Sequence, residues 1–334
     1  MQIDFISSNN DLAIGSYRIW IHNAKKVLQE MNHDVQIVTS HHSSRKDSIV
    51  IFSKGDYQDA TSVGREKIVG AINVDPRHSN IAFDFVICGS IEEKLSLQSS
   101  YKNVYVVNLI EIGCESCKQK IHTQKDNLVI GYHGSYTHLS KLSNGFVEAF
   151  YQMKQVVKDL KIKVITDRPD KALEILVNLG LQDKDVISKK WKYESFLEEI
   201  SEIDVGIVPN ITFFDHYIPD LRKLTSTDSG LYQTDYFLRM KNKSNPGRNF
   251  VFFQVGIPVI SDLTPSGMPM FYDEKCGSIA ICKNTWYSSL HRFLDADERN
   301  NVASIAYNRF VEMYDFRRDI QMLVSNLEKI KNVK

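Results

Sequence analysis

The sequence predicts an α/β protein built from two doubly wound parallel-sheet domains, and three observations carry that expectation. Its 334 residues, 43% of them hydrophobic, are enough for two domains of ordinary size, each with its own core. Short apolar runs alternate with segments of helical period through residue 110. Both halves also open alike, with an apolar strand, a loop containing glycine and serine, and then a helix: residues 3–6, Gly15-Ser16 and 17–31 in the first half, 127–132, Gly134-Ser135 and 146–157 in the second.

The elements follow in order. After the strand at 3–6, Ile19, Ala24, Val27, Leu28 and Met31 recur at helical spacing, and residues 35–38 return as a strand. A strand, helix and strand of this kind imply a parallel pair. Gly15 stands alone where a dinucleotide fingerprint would need three glycines, which argues against nicotinamide chemistry. Further strands read at 48–52, 71–74, 83–88 and 104–110, with a helix over 91–97. Ligands of such sheets bind beyond the carboxyl ends of the strands, so Gly15, Ser16, Asp75 to His78 and Gly89 to Glu92 form the candidate rim. Glu92 and Glu93 have a plainer role as first-turn acids complementing a helix dipole. Residues 111–126 are polar and aperiodic, and read as the crossover between domains.

In the second half, the strand at 127–132 runs into HGSYTHLSKLSNG, a loop rich in hydroxyls and basic groups. A helix over 146–157 buries Phe146, Ala149, Phe150, Met153 and Val157, and a strand follows at 162–165. Helices at 170–179 and 193–201 flank a short strand at 186–187. Trp191, between Lys190 and Lys192, suits either a platform for a nucleobase or a cover for the core edge. A strand at 204–210 leads into residues 211–239, a long stretch of aromatic and charged residues. His216 is the side chain there best able to exchange a proton near neutral pH, although a lone histidine is more often a polar filler. A strand at 276–282, a helix at 286–294 and long amphipathic helices over 303–331 complete the chain.

The stretch KNKSNPGRNFVFFQVGIPVISD, residues 241–262, is the most informative. Lys243, Ser244, Asn245 and Arg248 surround the expected start of a helix near Gly247, where free N–H groups and the positive end of the helix dipole suit a phosphate. Asn249 to Val255 is too short and apolar for a surface helix. Gly256 and Pro258 stop it, and Val259-Ile260 reads as a buried strand. The plain alternative is a core helix and strand behind a solvated basic loop.

Composition narrows the class. The chain carries 41 basic and 41 acidic residues, so its overall field favours neither nucleic acid nor an anionic membrane. Five cysteines are too few and too scattered for a disulfide framework, and a reducing cytosol is expected. Cys114-Glu115-Ser116-Cys117 lacks a second ligand pair for zinc, His122 being the nearest candidate, so no metal is expected. The sequence opens on a strand without a charged and apolar leader, and no stretch is long enough to span a membrane. A soluble protein is expected.

The Gly256-Ile257-Pro258-Val259-Ile260 turn after a helix, and the strand, Gly-Ser loop and helix at 127–157, resemble the donor-binding domain of GT-B glycosyltransferases, of the group 1 or family-4 type. That resemblance implies two Rossmann-like domains facing across a cleft. It places an acceptor-side domain at 1–115, a donor domain at 116–310 and a terminal helix at 311–334 crossing back. It further implies transfer of a sugar from a nucleoside diphosphate sugar to an acceptor hydroxyl, as in bacterial surface polysaccharide or glycoconjugate synthesis. The nucleotide sugar is a co-substrate, with no cofactor or metal, and the acceptor is a glycan, lipid-linked or protein. The implied donor contacts are Gly15, Ser16, Gly134, Ser135, Lys141, Trp191, Lys243, Ser244, Asn245, Arg248, Asn249, Thr264 and Ser266. His216, Asp75 and His78 are the candidate acceptor bases. Many retaining members carry two glutamates eight residues apart here, and this chain has Lys243 and Val251 instead, so the stereochemistry is left open. A nucleotide-sugar epimerase of the same fold and a non-catalytic partner in a glycan assembly complex are the alternatives. The implied location is the cytoplasm, with the inner face of the membrane as a further option.

Overall fold

The computed structural model describes residues 1–64, 66–74, 81–142, 145–209, 245–262 and 264–334. The chain folds into two compact units, one holding Met1–Ile112 and Asp315–Lys334, the other running from Gly113 to Tyr314 apart from a short piece ending at Asn245. Each unit is a six-stranded parallel sheet with helices, the doubly wound architecture expected from the repeated strand and helix pattern.

The first sheet has the order β2-β1-β3-β4-β5-β6, formed by Gln2–Ile6 (β1), Asp34–Val38 (β2), Ile49–Phe52 (β3), Val69–Ile72 (β4), Phe85–Cys88 (β5) and Val104–Val106 (β6). β3, β4 and β5 are buried along their whole length, as parallel strands covered on both faces must be. β6 is shorter than its apolar run. Asn108 leaves the ladder because its N–H and side-chain amide both donate to Asp319 Oδ2, at 2.9 and 2.8 Å, on the terminal helix Phe316–Val333. The helix expected over 17–31 is present, but Arg18–Asn23 is wound as a π-helix. Arg18 is buried there and donates through Nε to Glu111 at 2.7 Å, while Asn23 donates to the other carboxylate oxygen at 3.1 Å.

The second sheet has the order β12-β11-β10-β7-β8-β9, formed by Asn127–His133 (β7), Asp159–Thr166 (β8), Val186–Lys190 (β9), Val205–Val208 (β10), Val259–Ser261 (β11) and Gly277–Ile279 (β12). Phe146, Phe150, Leu160, Ile162, Val164, Leu176 and Trp286 are among its core side chains. The helix Gly247–Gln254 carries the apolar run Phe250 to Phe253 and is buried except at Arg248. It ends as its sequence requires: Gly256 has φ +77°, its N–H donates to Phe253 O at 3.3 Å, and the Ile257 N–H donates to Phe252 O at 2.9 Å, the paired bonds of a left-handed glycine cap.

Residues 113–126 are more firmly held than their polar, aperiodic sequence suggests. Lys120 N donates to Val255 O at 2.9 Å, and the buried His122 donates through Nε2 to Gly256 O at 2.9 Å, so this segment grips the end of the Gly247–Gln254 helix. Burial foremost, with the charges of Lys120 and Arg299, pulls the His122 pKa down to about 4, against the raising effect of the Gly256 carbonyl. The unfolded histidine titrates near 6.5, so the native state excludes a proton that the unfolded chain accepts. This contribution is complete above pH 6.5 and is lost as pH falls toward 4, by about 3 kcal/mol. Urea unfolding at pH 7, 5.5 and 4 should show that loss in the native chain and a flatter profile in His122→Gln. Equal slopes would refute the assignment.

Candidate functional site

The second unit brings two of the expected loops together. β7 delivers His133, Gly134 and Ser135 at its carboxyl end, and the helix Gly247–Gln254 begins beside them. His133 Nε2 lies 3.1 Å from the Arg248 carbonyl oxygen, which can only accept, so this nitrogen carries the proton. The His133 ring is also wedged edge-on between Phe196 and Phe252, with centroids at 5.5 and 4.9 Å. Arg248 Nη1 donates to Tyr132 Oη at 3.1 Å, and Tyr132 Oη donates to Ser135 O at 2.7 Å. The guanidinium thus lies against the Tyr132 ring, 5.5 Å from its centroid. Gly134 has φ +122°, and a Cβ there would stand 3.1 Å from Arg248 Cδ and 3.3 Å from Tyr132 Oη. The positive φ favours glycine, and a Cβ there would crowd the Arg248 side chain.

The helix Gly247–Gln254 carries a cation in its own first turn. Pro246, its N-cap, supplies no side-chain acceptor, and the first turn contains no acid. Arg248 adds a cation to the end of the helix where the dipole is already positive, an arrangement that favours an anion. Asn249, the next residue, is 1% exposed.

The other expected residues are placed as follows. Gly15 and Ser16 belong to the first unit, beyond the carboxyl ends of its strands, where Ser7, Asn9, Ser16, Tyr17, Ser53 and Lys54 line a small cavity. Trp191 is nearly buried, with Phe196 and Tyr193 against it at 5.3 and 6.4 Å between centroids, and its main-chain N–H donates to Thr166 O. Tyr193, about half exposed, offers the more open ring, and its place two residues on from Trp191 is the signal the sequence holds for it. Thr264 is buried past β11 and its Oγ1 accepts from the Gly267 N–H at 3.2 Å; Ser266 is half-buried in the same turn. Asn245 is half-buried just ahead of the helix. Lys141 closes a short 3-10 turn, Tyr136–Lys141. Lys243, Ser244, His216, Asp75 and His78 lie outside the described residues. His133 and Tyr132 are site residues that sequence reasoning misses, although a histidine ending an apolar strand at a glycine loop marks the place. Among the described residues, no group of three His, Cys, Asp or Glu side chains could hold a metal. Nor is any helix among them long and apolar enough to cross a membrane.

No family model and no curated protein matches the sequence. Solved structures do match. Anabaena HepE, in complex with UDP and glucose, superposes with a TM-score of 0.60 at 12% identity over 98% of this chain and 99% of that one. The fold is GT-B. Trehalose-6-phosphate synthase OtsA gives 0.55 at 10% identity, over 93% of this GT-B chain and 76% of its own. TarM gives 0.58 at 10% identity over 83% of this chain, which spans about half of TarM's length, 54%. At these identities the likeness is one of fold, and the site must argue for itself.

Proposed function

We propose that this chain is a glycosyltransferase that moves a sugar from a nucleoside diphosphate sugar to an acceptor hydroxyl. The observation that carries the reading is Arg248, a cation at the positive end of a helix whose own first turn holds no acid, set against the glycine loop of β7. As the bond from the anomeric carbon to the diphosphate oxygen breaks, negative charge develops on the leaving diphosphate. Fixed N–H donors and a guanidinium at that point stabilise the transition state more than the ground state. Lys141, Lys243 and Ser135 belong to the same proposed anion site. Binding without a divalent cation is part of the proposal, as are a uridine nucleotide, suggested by UDP in the HepE structure, and an acceptor that is a glycan, lipid-linked or protein. A cytoplasmic protein working on surface polysaccharide, at or near the membrane face, fits this chemistry. Lys243 and Val251, where retaining relatives carry glutamates, favour a second reading, a non-catalytic nucleotide-sugar binder.

Thermal unfolding against nucleoside diphosphates and their sugar esters, with Mg²⁺ and with EDTA, tests the proposal. A ligand at 100 times its Kd adds about 2.7 kcal/mol, which for units of this size raises Tm by about 5 °C or more. The shift is expected with uridine diphosphate and unaffected by EDTA. No shift across the series would overturn the reading, and binding without transfer or hydrolysis would select the non-catalytic one.

A further inference from the structure

Cys114-Glu115-Ser116-Cys117 has no part in the proposed transfer, yet the fold brings its two thiols together. Ile112–Cys114 is a short 3-10 turn, and the Cys117 N–H donates to Cys114 O at 3.1 Å. A bond of that kind closes a four-residue turn and sets its end Cα atoms within about 7 Å of each other, the span a disulfide bridges. The side chains meet as well. Burial pushes the Cys117 pKa up, and a hydrogen bond with the Cys114 side chain works against that rise, so the two sulfur atoms are within hydrogen-bond reach.

The two thiols differ in access. Cys114 is 2% exposed and packs as a small apolar side chain would, whereas Cys117 is half-buried and donates to Gly113 O at 3.7 Å. A reagent from solution therefore meets Cys117 first, with Cys114 behind it. A structural zinc needs four ligands, and among the described residues no third His, Cys, Asp or Glu completes a cluster with the pair.

We propose that Cys114 and Cys117 are a site of reversible oxidation, closing to a disulfide by exchange with a small disulfide of the glutathione class. The Cys117 thiolate attacks one sulfur of the reagent, and the other sulfur leaves as a thiolate that takes up a proton. Cys114 then gives up its proton and attacks Cys117 in the mixed disulfide, releasing the second thiol. Two cysteines are oxidised and one reagent disulfide is reduced to two thiols, so the exchange balances. The first step is slow, because burial keeps the Cys117 thiolate scarce. The second is intramolecular between neighbours and is fast. In a reducing compartment the pair rests as two thiols, and it closes when the pool is oxidised. Closure replaces the bond from Cys117 Sγ to Gly113 O with a covalent tie at the start of the segment whose Lys120 and His122 hold Val255 O and Gly256 O.

The test is incubation of the folded native chain with glutathione disulfide, followed by acid quenching, alkylation of free thiols and peptide mass spectrometry. Cys282 is the internal comparison, since it is exposed, with no cysteine in the helix that follows it. In the native chain, the peptide holding Cys114 and Cys117 should lose two hydrogens, with glutathione retained on about a tenth of it or less. Cys282 should carry glutathione. Cys114→Ser should trap glutathione on Cys117, and dithiothreitol should restore both thiols of the native chain without unfolding it. Stable glutathione on Cys117 of the native chain would overturn the proposal, as would two thiols that stay free. A disulfide that forms only when urea is added would overturn it too, because the pairing would then not belong to the fold.

Discussion

Arg248→Ala is expected to weaken nucleoside diphosphate binding about 100-fold, and Lys243→Ala with Arg248→Ala further still, while Tm changes by only a few degrees. A charge-assisted hydrogen bond contributes about 1.5–3 kcal/mol, and a guanidinium can offer two of them to one phosphate. Among the described residues, Arg248 Nη1 donates to Tyr132 Oη and the guanidinium lies against the Tyr132 ring. Arg248→Lys should recover part of the affinity, since a lysine keeps the charge but loses the fork. Titration calorimetry at low and moderate salt measures all of this. Unchanged affinity in the double variant would remove the proposed anion site from this helix start.

The contrast between what is legible in the chain and what is not follows from the range of the interactions. The helix Gly247–Gln254 and its stop can be read from sequence because their causes are local: an apolar run, a glycine free to take φ +77°, and a proline two residues on. The pairing of Gly134 with Arg248 can be anticipated only as two loops of similar chemistry, because the residues that join them, Tyr132 and His133, read as the last residue of an apolar strand and the first of the loop after it. The π-wound turn at Arg18–Asn23 has no periodic signal at all. It is tied to Glu111, 93 residues away in sequence, and a buried arginine resembles a solvated one in any local window. Residues 113–126 mislead in the same way. Their polar groups are satisfied by Val255, Gly256 and Asp204, far along the chain, so a segment that reads as a linker is in fact held at several points.

Asp204 is where that holding should have its largest energetic effect. The carboxylate is 1% exposed, one residue before β10. Burial alone would raise its pKa, but Lys125 at 2.7 Å, Lys120 at 3.1 Å and the Val129 N–H at 2.9 Å together hold it below the usual carboxylate range. Asp204→Ala takes the carboxylate from two amines and an N–H, of which Lys120 keeps only its bond to Ile203 O and Lys125 is partly exposed. Removing one partner of a buried ion pair costs about 3–5 kcal/mol, so the variant should unfold at much lower urea concentration than the native chain. Asp204→Asn should fall between the two, because an amide can accept from Val129 but carries no charge for the lysines. The pH dependence separates this group from His122. A carboxyl depressed by folding contributes its full stability above about pH 4 and loses it as pH falls through the lowered native value, whereas His122 acts between 6.5 and about 4. Unfolding curves for Asp204→Ala should therefore lose the acid limb below pH 4 and keep the slope above it. A variant as stable as the native chain would mean that the lysines find water instead, and that residues 113–126 are held by their bonds to Val255, Gly256 and Ile203.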